Sequence, residues 1–149
     1  MAFFQAIFTY SCTIEAPKEK VWDILTDTDS YPEWNPFTKK TDLEWKLGAD
    51  VRQEVFMPGA KKPIIHKAKL SQFEKGSHFA WAMKMGSLLR AERKQGLEAL
   101  SENQTRYFTI DYNRGVIAPI VAMIYGKKIE AGFKMMGDAL KQRAENDRL

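Results

Sequence analysis

Between residues 37 and 113 the sequence is a succession of short extended segments separated by very tight turns, and this feature limits the chain to few architectures. The turns contain Gly48, Pro58-Gly59, Gly76 and Gly86. Short turns between consecutive strands imply antiparallel neighbours in a meander. The segments that we predict as strands are residues 39–45, 50–57, 64–73, 78–85, 89–100 and 104–113.

The residues upstream of this series predict one further strand and two short helices. Residues 4–15 alternate between a mostly apolar and a mostly polar set, which is typical of a strand. Pro17 suits the first turn of a helix, where a missing N–H costs nothing, and the apolar residues after it predict a helix from about residue 17 to 26. The stretch Tyr31–Trp34 predicts one more helical turn, which Pro36 ends.

The C-terminal part of the sequence, from about residue 119 to 146, predicts one long helix. Its apolar positions recur every three or four residues and define one helical face. They are Tyr125, Ile129, Phe133, Met136 and Leu140. At roughly 1.5 Å per residue, this helix spans about 40 Å.

The order of these elements predicts an α+β fold, in which a curved antiparallel sheet wraps around the long C-terminal helix. A long antiparallel sheet twists and cannot stay flat, and it must meet the helix across an apolar face. A single helix rarely fills so curved a sheet, so the space left between them predicts an internal ligand cavity. No linker or repeat divides the sequence, and we expect one domain over residues 1–149.

The composition is that of a globular protein with a modest basic excess. Hydrophobic residues make up 44% of the chain, charged residues 28%, and the formal net charge is +4. The one dense basic stretch, Lys61-Lys62 with Lys67 and Lys69, is interpreted as a solvated face, with a weak anionic partner such as lipid headgroups as the alternative. No basic groove with stacking aromatic residues is evident, so we expect no nucleic-acid binding.

The sequence contains no signal that favours secretion or stable membrane insertion. Cys12 is the only cysteine, which excludes an intramolecular disulfide. The first residues lack the basic and apolar regions of a signal peptide, and no apolar run approaches the roughly 20 residues of a membrane span. We therefore expect a cytoplasmic protein.

Three motifs in this order resemble the START and polyketide-cyclase superfamily, often called SRPBCC. The first is Ile14-Glu15-Ala16-Pro17 with residues 21–27, the second is residues 31–37, and the third is Gly115 with residues 130–141. The resemblance covers nearly the whole chain and implies the helix-grip fold. It also implies a family whose members bind lipids, sterols, polyketides or quinones, while a minority are cyclases, dehydrases or other enzymes and some bind protein partners.

The last predicted strand departs from the family at an informative place. Similar members often carry Thr-x-Phe-x-His-x-Glu-x-Phe-x-Gly there, with a histidine at its centre. In this chain Thr109 stands at the position of that histidine and Asp111 at that of the glutamate. An acid/base role that depends on the histidine therefore does not carry over.

Strand parity selects the candidate site residues. Arg93 and Gln95 share one face of the penultimate strand, and Thr109, Asp111 and Asn113 share one face of the last. The family pattern turns both faces toward the cavity, where we predict that Arg93 and Asp111 form an ion pair, either buried or at the open end of the sheet. The full set of predicted ligand-binding residues is Arg93, Gln95, Asp111, Thr109, Asn113, Trp34, Trp81, Tyr125, Phe133, Met136 and His66.

The alternative for each aromatic residue and methionine of this set is plain core packing, and for His66 it is a core or rim histidine. The sequence contains no phosphate loop, metal-ligand cluster or nucleophile elbow. We therefore expect no metal and no cofactor, and Asp111 is the only candidate for catalysis.

Three hypotheses for function follow. The favoured one is binding or carriage of a hydrophobic small molecule, such as a lipid, polyketide or quinone, without catalysis. The first alternative is a polyketide cyclase or dehydrase in which Asp111 acts as general acid/base, with a pKa raised by burial. The second is a protein-interaction module that uses the concave sheet or the basic region from Lys61 to Lys69.

Three glycines interrupt the predicted C-terminal helix, and each costs roughly 1 kcal/mol relative to alanine. They are Gly126, Gly132 and Gly137. They either admit a neighbouring aromatic side chain or soften the helix as a gate to the cavity, with Tyr125 near the entrance. The gate hypothesis predicts that Gly126→Ala and Gly132→Ala slow ligand exchange and raise thermal stability.

Overall fold

The computed structural model describes residues 4–146 and contains one seven-stranded antiparallel sheet in the order β1-β7-β6-β5-β4-β3-β2. Consecutive strands are neighbours from β2 to β7, as the short turns predict, and β1 closes the sheet beside β7. The strands are β1 Gln5–Ile14, β2 Lys40–Asp42, β3 Asp50–Val55, β4 Ile64–Glu74, β5 His78–Met85, β6 Leu89–Ser101 and β7 Gln104–Arg114.

Two short helices and one long helix complete the fold. Helix α1 spans Lys18–Thr26, a 3₁₀ turn covers Thr28–Ser30, α2 is Tyr31–Trp34, and α3 is Ala118–Asn146. The helix-grip architecture expected from the sequence is therefore confirmed. Within residues 4–146, none of the helices has the length and apolarity that a membrane crossing requires.

The predicted strand over residues 39–45 is much shorter in the structure, where β2 ends at Asp42. The chain then leaves the sheet edge because Trp45 turns into the core. The Trp45 indole donates a hydrogen bond of 3.0 Å from Nε1 to the Thr26 carbonyl. Its ring packs 5.6 Å from Phe73 and 4.9 Å from Phe79, measured between centroids.

This aromatic cluster seals one end of the space between sheet and helices. Trp22 of α1 joins it at 6.2 Å from Phe73 and 6.0 Å from Phe79. Trp81 follows at 5.1 Å from Phe79. Because large rings fill this end, the cavity between sheet and helix lies toward the other end of the grip, where α3 begins.

The glycines of α3 lie where aromatic rings approach the helix backbone. A Cβ added at Gly132 would overlap the ring of Phe37, and one at Gly137 would overlap the ring of Tyr10. At Gly126 the nearest atom, Cε1 of Phe8, would be 3.2 Å away. Close packing therefore explains Gly132 and Gly137. It argues against the prediction that Gly132→Ala raises stability, because the Phe37 ring occupies the space.

Candidate functional site

A cavity of about 230 Å³ lies between α3 and the concave face of the sheet. Most of its wall is apolar, and the polar lining residues come from β3, β4, β6 and β7 and from the loop before β2. The apolar lining consists of Phe37, Val55, Met57, Trp81, Met83, Leu89, Ala91, Ile129 and Phe133. The polar lining consists of Thr38, Gln53, His66, Arg93, Asp111 and Asn113.

The polar lining residues come mainly from two pairs of neighbouring strands, β3 with β4 and β6 with β7, whose alternation turns these residues inward. Arg93 of β6 lies opposite Asp111 of β7, and Ala91 lies opposite Asn113. His66 of β4 lies opposite Gln53 of β3. Residues directly across an antiparallel pair share one face, so the period of two in the sequence brings these groups to one wall.

Arg93 is nearly fully buried, with 7% of its surface exposed, and is held by hydroxyl, thioether and aromatic partners. Its Nε donates a 2.9 Å hydrogen bond to Thr109 Oγ1, and Nη2 lies 3.6 Å from the Met136 sulfur. The guanidinium carbon stands 4.3 Å from the centre of the Phe133 ring. A desolvated cation over an aromatic face is stabilised by about 2 kcal/mol.

The predicted ion pair between Arg93 and Asp111 is not formed. The two residues are register partners, yet the Arg93 side chain turns along β7 to Thr109 and over the ring of Phe133. The guanidinium thus has a hydrogen-bond partner and an aromatic partner without a carboxylate, and the Asp111 carboxyl lines the cavity.

The Asp111 carboxyl has a strongly perturbed environment. Burial raises its pKa to about 6, although the charge of Arg93 and the neighbouring Asn113 side chain act in the opposite direction. A carboxyl group with this pKa exchanges its proton near neutral pH, as a general acid or base requires.

Three buried polar atoms lack a hydrogen-bond partner among residues 4–146: His66 Nδ1, Gln95 Nε2 and Asn113 Nδ2. Buried polar groups in native proteins are nearly always paired with protein or water. Two of the three, on His66 and Asn113, belong to the cavity wall. Burial, and then the charge of Arg93, lowers the pKa of His66, so its ring is neutral at pH 7.

A family model described as polyketide cyclase/dehydrase and lipid transport matches residues 5–145. The chain belongs to this family. Membership supports binding of a hydrophobic ligand at the level of the family and agrees with the resemblance in the three sequence motifs. No curated protein matches the sequence.

Solved structures show the same fold. The aromatase/cyclase Zhui from Streptomyces sp. R1128 superposes with a TM-score of 0.76 at 16% identity, covering 95% of this chain and 94% of the other. A START superfamily protein from Mycobacterium smegmatis has a TM-score of 0.72 at 17% identity, with 94% and 97% covered. Norcoclaurine synthase from Thalictrum flavum, in complex with dopamine and hydroxybenzaldehyde, has a TM-score of 0.72 at 11% identity, with 97% and 89% covered. Identities this low establish the fold alone.

Six of the predicted ligand-binding residues line the cavity of this protein. They are His66, Trp81, Arg93, Asp111, Asn113 and Phe133. Three others lie outside the lining: Thr109 and Met136 hold the guanidinium of Arg93, and Gln95 accepts a 2.7 Å hydrogen bond from the Tyr107 hydroxyl.

The two remaining candidates lie elsewhere. Trp34 packs edge-on against Tyr31, with the ring centroids 5.2 Å apart. Tyr125 lies on the first half of α3 and is 47% exposed. A ligand-binding role for residues outside the lining stays a prediction.

Phe37 and Gln53 line the cavity but were not among the sequence candidates. Gln53 and Val51 are the inward residues of β3, so the alternation of this strand could have identified Gln53 from the sequence. Phe37 lies in a loop without periodicity, where Asn35 Oδ1 accepts hydrogen bonds from the amides of Phe37 and Thr38 at 3.0 and 2.9 Å. A loop residue placed by such side-chain bonds has no pattern in the sequence that would reveal it.

Within the described residues, no group of three His, Cys, Asp or Glu side chains is arranged to hold a metal ion. Cys12 packs at the edge of the core, where burial raises the pKa of its thiol.

Proposed function

We propose that this protein binds or carries a small, largely apolar molecule that bears one polar group. The observation that carries the proposal is the buried, unpartnered Asn113 Nδ2 on the cavity wall, on the same face of β7 as the Asp111 carboxyl. A cavity that served only as a packing defect would be lined by apolar groups and stay dry. Unpartnered polar atoms in an otherwise apolar wall favour an occupant that pairs with them.

The cavity volume limits the size of the occupant. An engineered apolar cavity of about 150 Å³ binds benzene, whereas drug-sized ligands occupy roughly 300–1,000 Å³. The volume of about 230 Å³ found here lies between these limits. It fits one ring with substituents or two fused rings, and a sterol or a four-ring polyketide exceeds it.

The polar wall favours a hydroxyl group on that ligand. Asn113 Nδ2 is a donor, and the Asp111 carboxylate is an acceptor. A hydroxyl oxygen accepts from the amide while its hydrogen is donated to the carboxylate, so one group satisfies both. The rings of Trp81 and Phe133 offer apolar surface for the rest of the molecule.

Titration calorimetry with 2-naphthol and naphthalene tests this proposal, because the two compounds differ only in the hydroxyl. We expect one molecule of 2-naphthol to bind per chain, at least about tenfold more tightly than naphthalene, since a satisfied hydrogen bond contributes roughly 1.5 kcal/mol and a charged acceptor more. Equal affinities, or no binding of either compound, would contradict it.

An Asn113→Ala variant with Asn103→Ala as its matched control assigns the effect to the cavity. Asn103 lies in the exposed turn between β6 and β7. We expect Asn113→Ala to lose about tenfold in affinity for 2-naphthol and little for naphthalene, while Asn103→Ala binds both as the parent does. A loss that is the same for both compounds would indicate a general packing defect.

A second candidate function is proton transfer on the bound molecule, as in a cyclase or dehydrase. The observation that favours it is the pKa of Asp111, raised to about 6 by burial in the cavity wall. Once a substrate is known, Asp111→Asn should abolish turnover, and the rate should depend on a group with a pKa near 6. Unchanged turnover in Asp111→Asn would exclude this role and leave a binding protein.

A further inference from the structure

Three segments surround the end of the grip where the cavity lies, and we call them the rim. They are residues 56–67 between β3 and β4, residues 84–90 at the turn from β5 to β6, and residues 114–129 at the start of α3. Each contributes a residue to the cavity wall, namely Met57, Leu89 and Ile129. The amide of Ile117 lies 3.4 Å from the Leu88 carbonyl, which ties the second segment to the third.

The rim is strongly basic although the whole chain is only modestly so. It holds eight of the 23 Lys and Arg residues and none of the 19 Asp and Glu residues, so the rest of the chain is net acidic. The eight cations, which include Lys61-Lys62 and Lys127-Lys128, are all exposed. None forms an ion pair with a described residue, whereas all the ion pairs found in residues 4–146 lie outside the rim.

Part of this charge is arranged at a cost to the fold. Lys84 lies directly across from Arg90, and Arg90 lies directly across from Arg114. Like charges opposite each other on neighbouring strands are destabilising. A row of three unpaired cations is relieved when an anionic surface lies against it.

The same segments expose an unusual amount of apolar surface. They contain nine of the 14 large hydrophobic side chains that are exposed within residues 4–146. On α3, Ile120, Met123 and Ile124 share one outward face at helical spacing, and Met123 is 80% exposed. Leu88 and Val116 extend the patch onto the adjoining turns, with 48% and 53% exposed. Single exposed hydrophobic residues are ordinary, but a patch of this extent marks an interaction site.

We propose that the rim docks reversibly on an anionic lipid bilayer. Its apolar side chains enter the boundary between headgroups and acyl chains, and its cations contact the headgroups, as in other surface-bound amphipathic elements. A bilayer fits better than a protein partner because the rim combines dispersed cations with protruding apolar side chains and no acidic residue. The rim also contributes Met57, Leu89 and Ile129 to the cavity wall, so an apolar molecule would pass between bilayer and cavity without crossing water.

Co-sedimentation with vesicles tests docking without any knowledge of the cavity's ligand. We expect binding to phosphatidylcholine vesicles that contain about one-third phosphatidylglycerol, weak binding to phosphatidylcholine alone, and weaker binding at high salt. Replacing Lys127 and Lys128 by Gln should weaken partition by about thirtyfold, since each lysine near the surface contributes roughly 1 kcal/mol. The control Lys46→Gln/Lys75→Gln, which removes the same charge from turns at the far end of the sheet, should change it by less than about twofold.

Variants of the exposed apolar side chains of the rim distinguish docking on a bilayer from binding to any other anionic partner. Met123→Ser/Ile124→Ser should lower vesicle binding by at least about tenfold, and the control Leu47→Ser/Leu100→Ser, at the far end of the sheet, should not. Because all of these side chains are exposed, thermal unfolding should be unchanged. Absence of vesicle binding, an equal loss in the control, or dimerisation through the rim in place of vesicle binding would overturn the proposal.

Discussion

Asp111 supplies the sharpest prediction, because its carboxyl is destabilised in the folded protein. In an unfolded chain an Asp carboxyl has a pKa of about 3.9. Burial in the cavity wall raises the pKa of Asp111 to about 6. The folded state therefore binds this proton more tightly than the unfolded state does, and the stability that comes from this difference is lost as the pH rises through about 6.

The size of the effect follows from the difference between the two pKa values. It amounts to roughly two pH units, and at about 1.36 kcal/mol for each the ionised carboxyl costs at most about 3 kcal/mol above about pH 6. Below about pH 4 the group is protonated in both states and contributes nothing. Asp111→Asn keeps the shape and removes the charge, so it should stabilise the protein by at most about 3 kcal/mol at about pH 7.5 and by close to zero at about pH 4.

Urea unfolding followed by tryptophan fluorescence, in buffers from about pH 4 to pH 8, measures this difference directly. Asp42→Asn is the matched control, since Asp42 is exposed on the short edge strand β2, and its stability should follow the parent at every pH. If the curves of Asp111→Asn and the parent stay parallel over the whole range, the carboxyl is not destabilised by burial. If Asp111→Asn is less stable at about pH 7.5, the carboxylate is a paired, stabilising charge.

Further predictions concern the rest of the wall and the core. Because the pKa of His66 is lowered by burial, the unfolded chain takes up this proton first, so urea unfolding should show His66→Gln gaining stability relative to the parent as the pH falls below about 6.5. Gly132→Ala should push the Phe37 ring into the cavity, and the overpacking, which costs about 1–3 kcal/mol, should lower the melting temperature and weaken 2-naphthol binding. Gly126→Ala is the comparison variant: the side chain next to it leaves more room, so both the melting temperature and the binding should stay close to those of the parent. Cys12, whose thiol pKa is raised by burial, should react with iodoacetamide much more slowly in the folded protein than in urea.

The sequence was sufficient for the fold because each element carries its own local signal. Alternation and turn glycines predicted the strands from β3 to β7, and the apolar face ending in Leu140 predicted α3. The edge strand β2 was predicted too long, because a period of two around Trp45 cannot distinguish an indole on a sheet face from one that turns into an aromatic cluster.

The site was less accessible to sequence reasoning, because its geometry depends on side chains from several elements at once. Parity on β6 and β7 identified Arg93, Asp111 and Asn113 as inward residues and placed Arg93 opposite Asp111. It could not predict that Arg93 prefers Thr109 and the ring of Phe133 to the carboxylate, since that choice depends on the packing of α3.

The central claim, that the polar wall of the cavity holds a hydroxyl group of a small aromatic ligand, is tested most directly by a crystal structure of the protein with 2-naphthol. We predict the naphthalene rings between Trp81 and Phe133, with the hydroxyl within hydrogen-bond distance of both Asp111 and Asn113 Nδ2. A cavity that stays free of the compound at saturating concentration, or naphthol bound with its hydroxyl turned away from Asp111 and Asn113, would contradict the account.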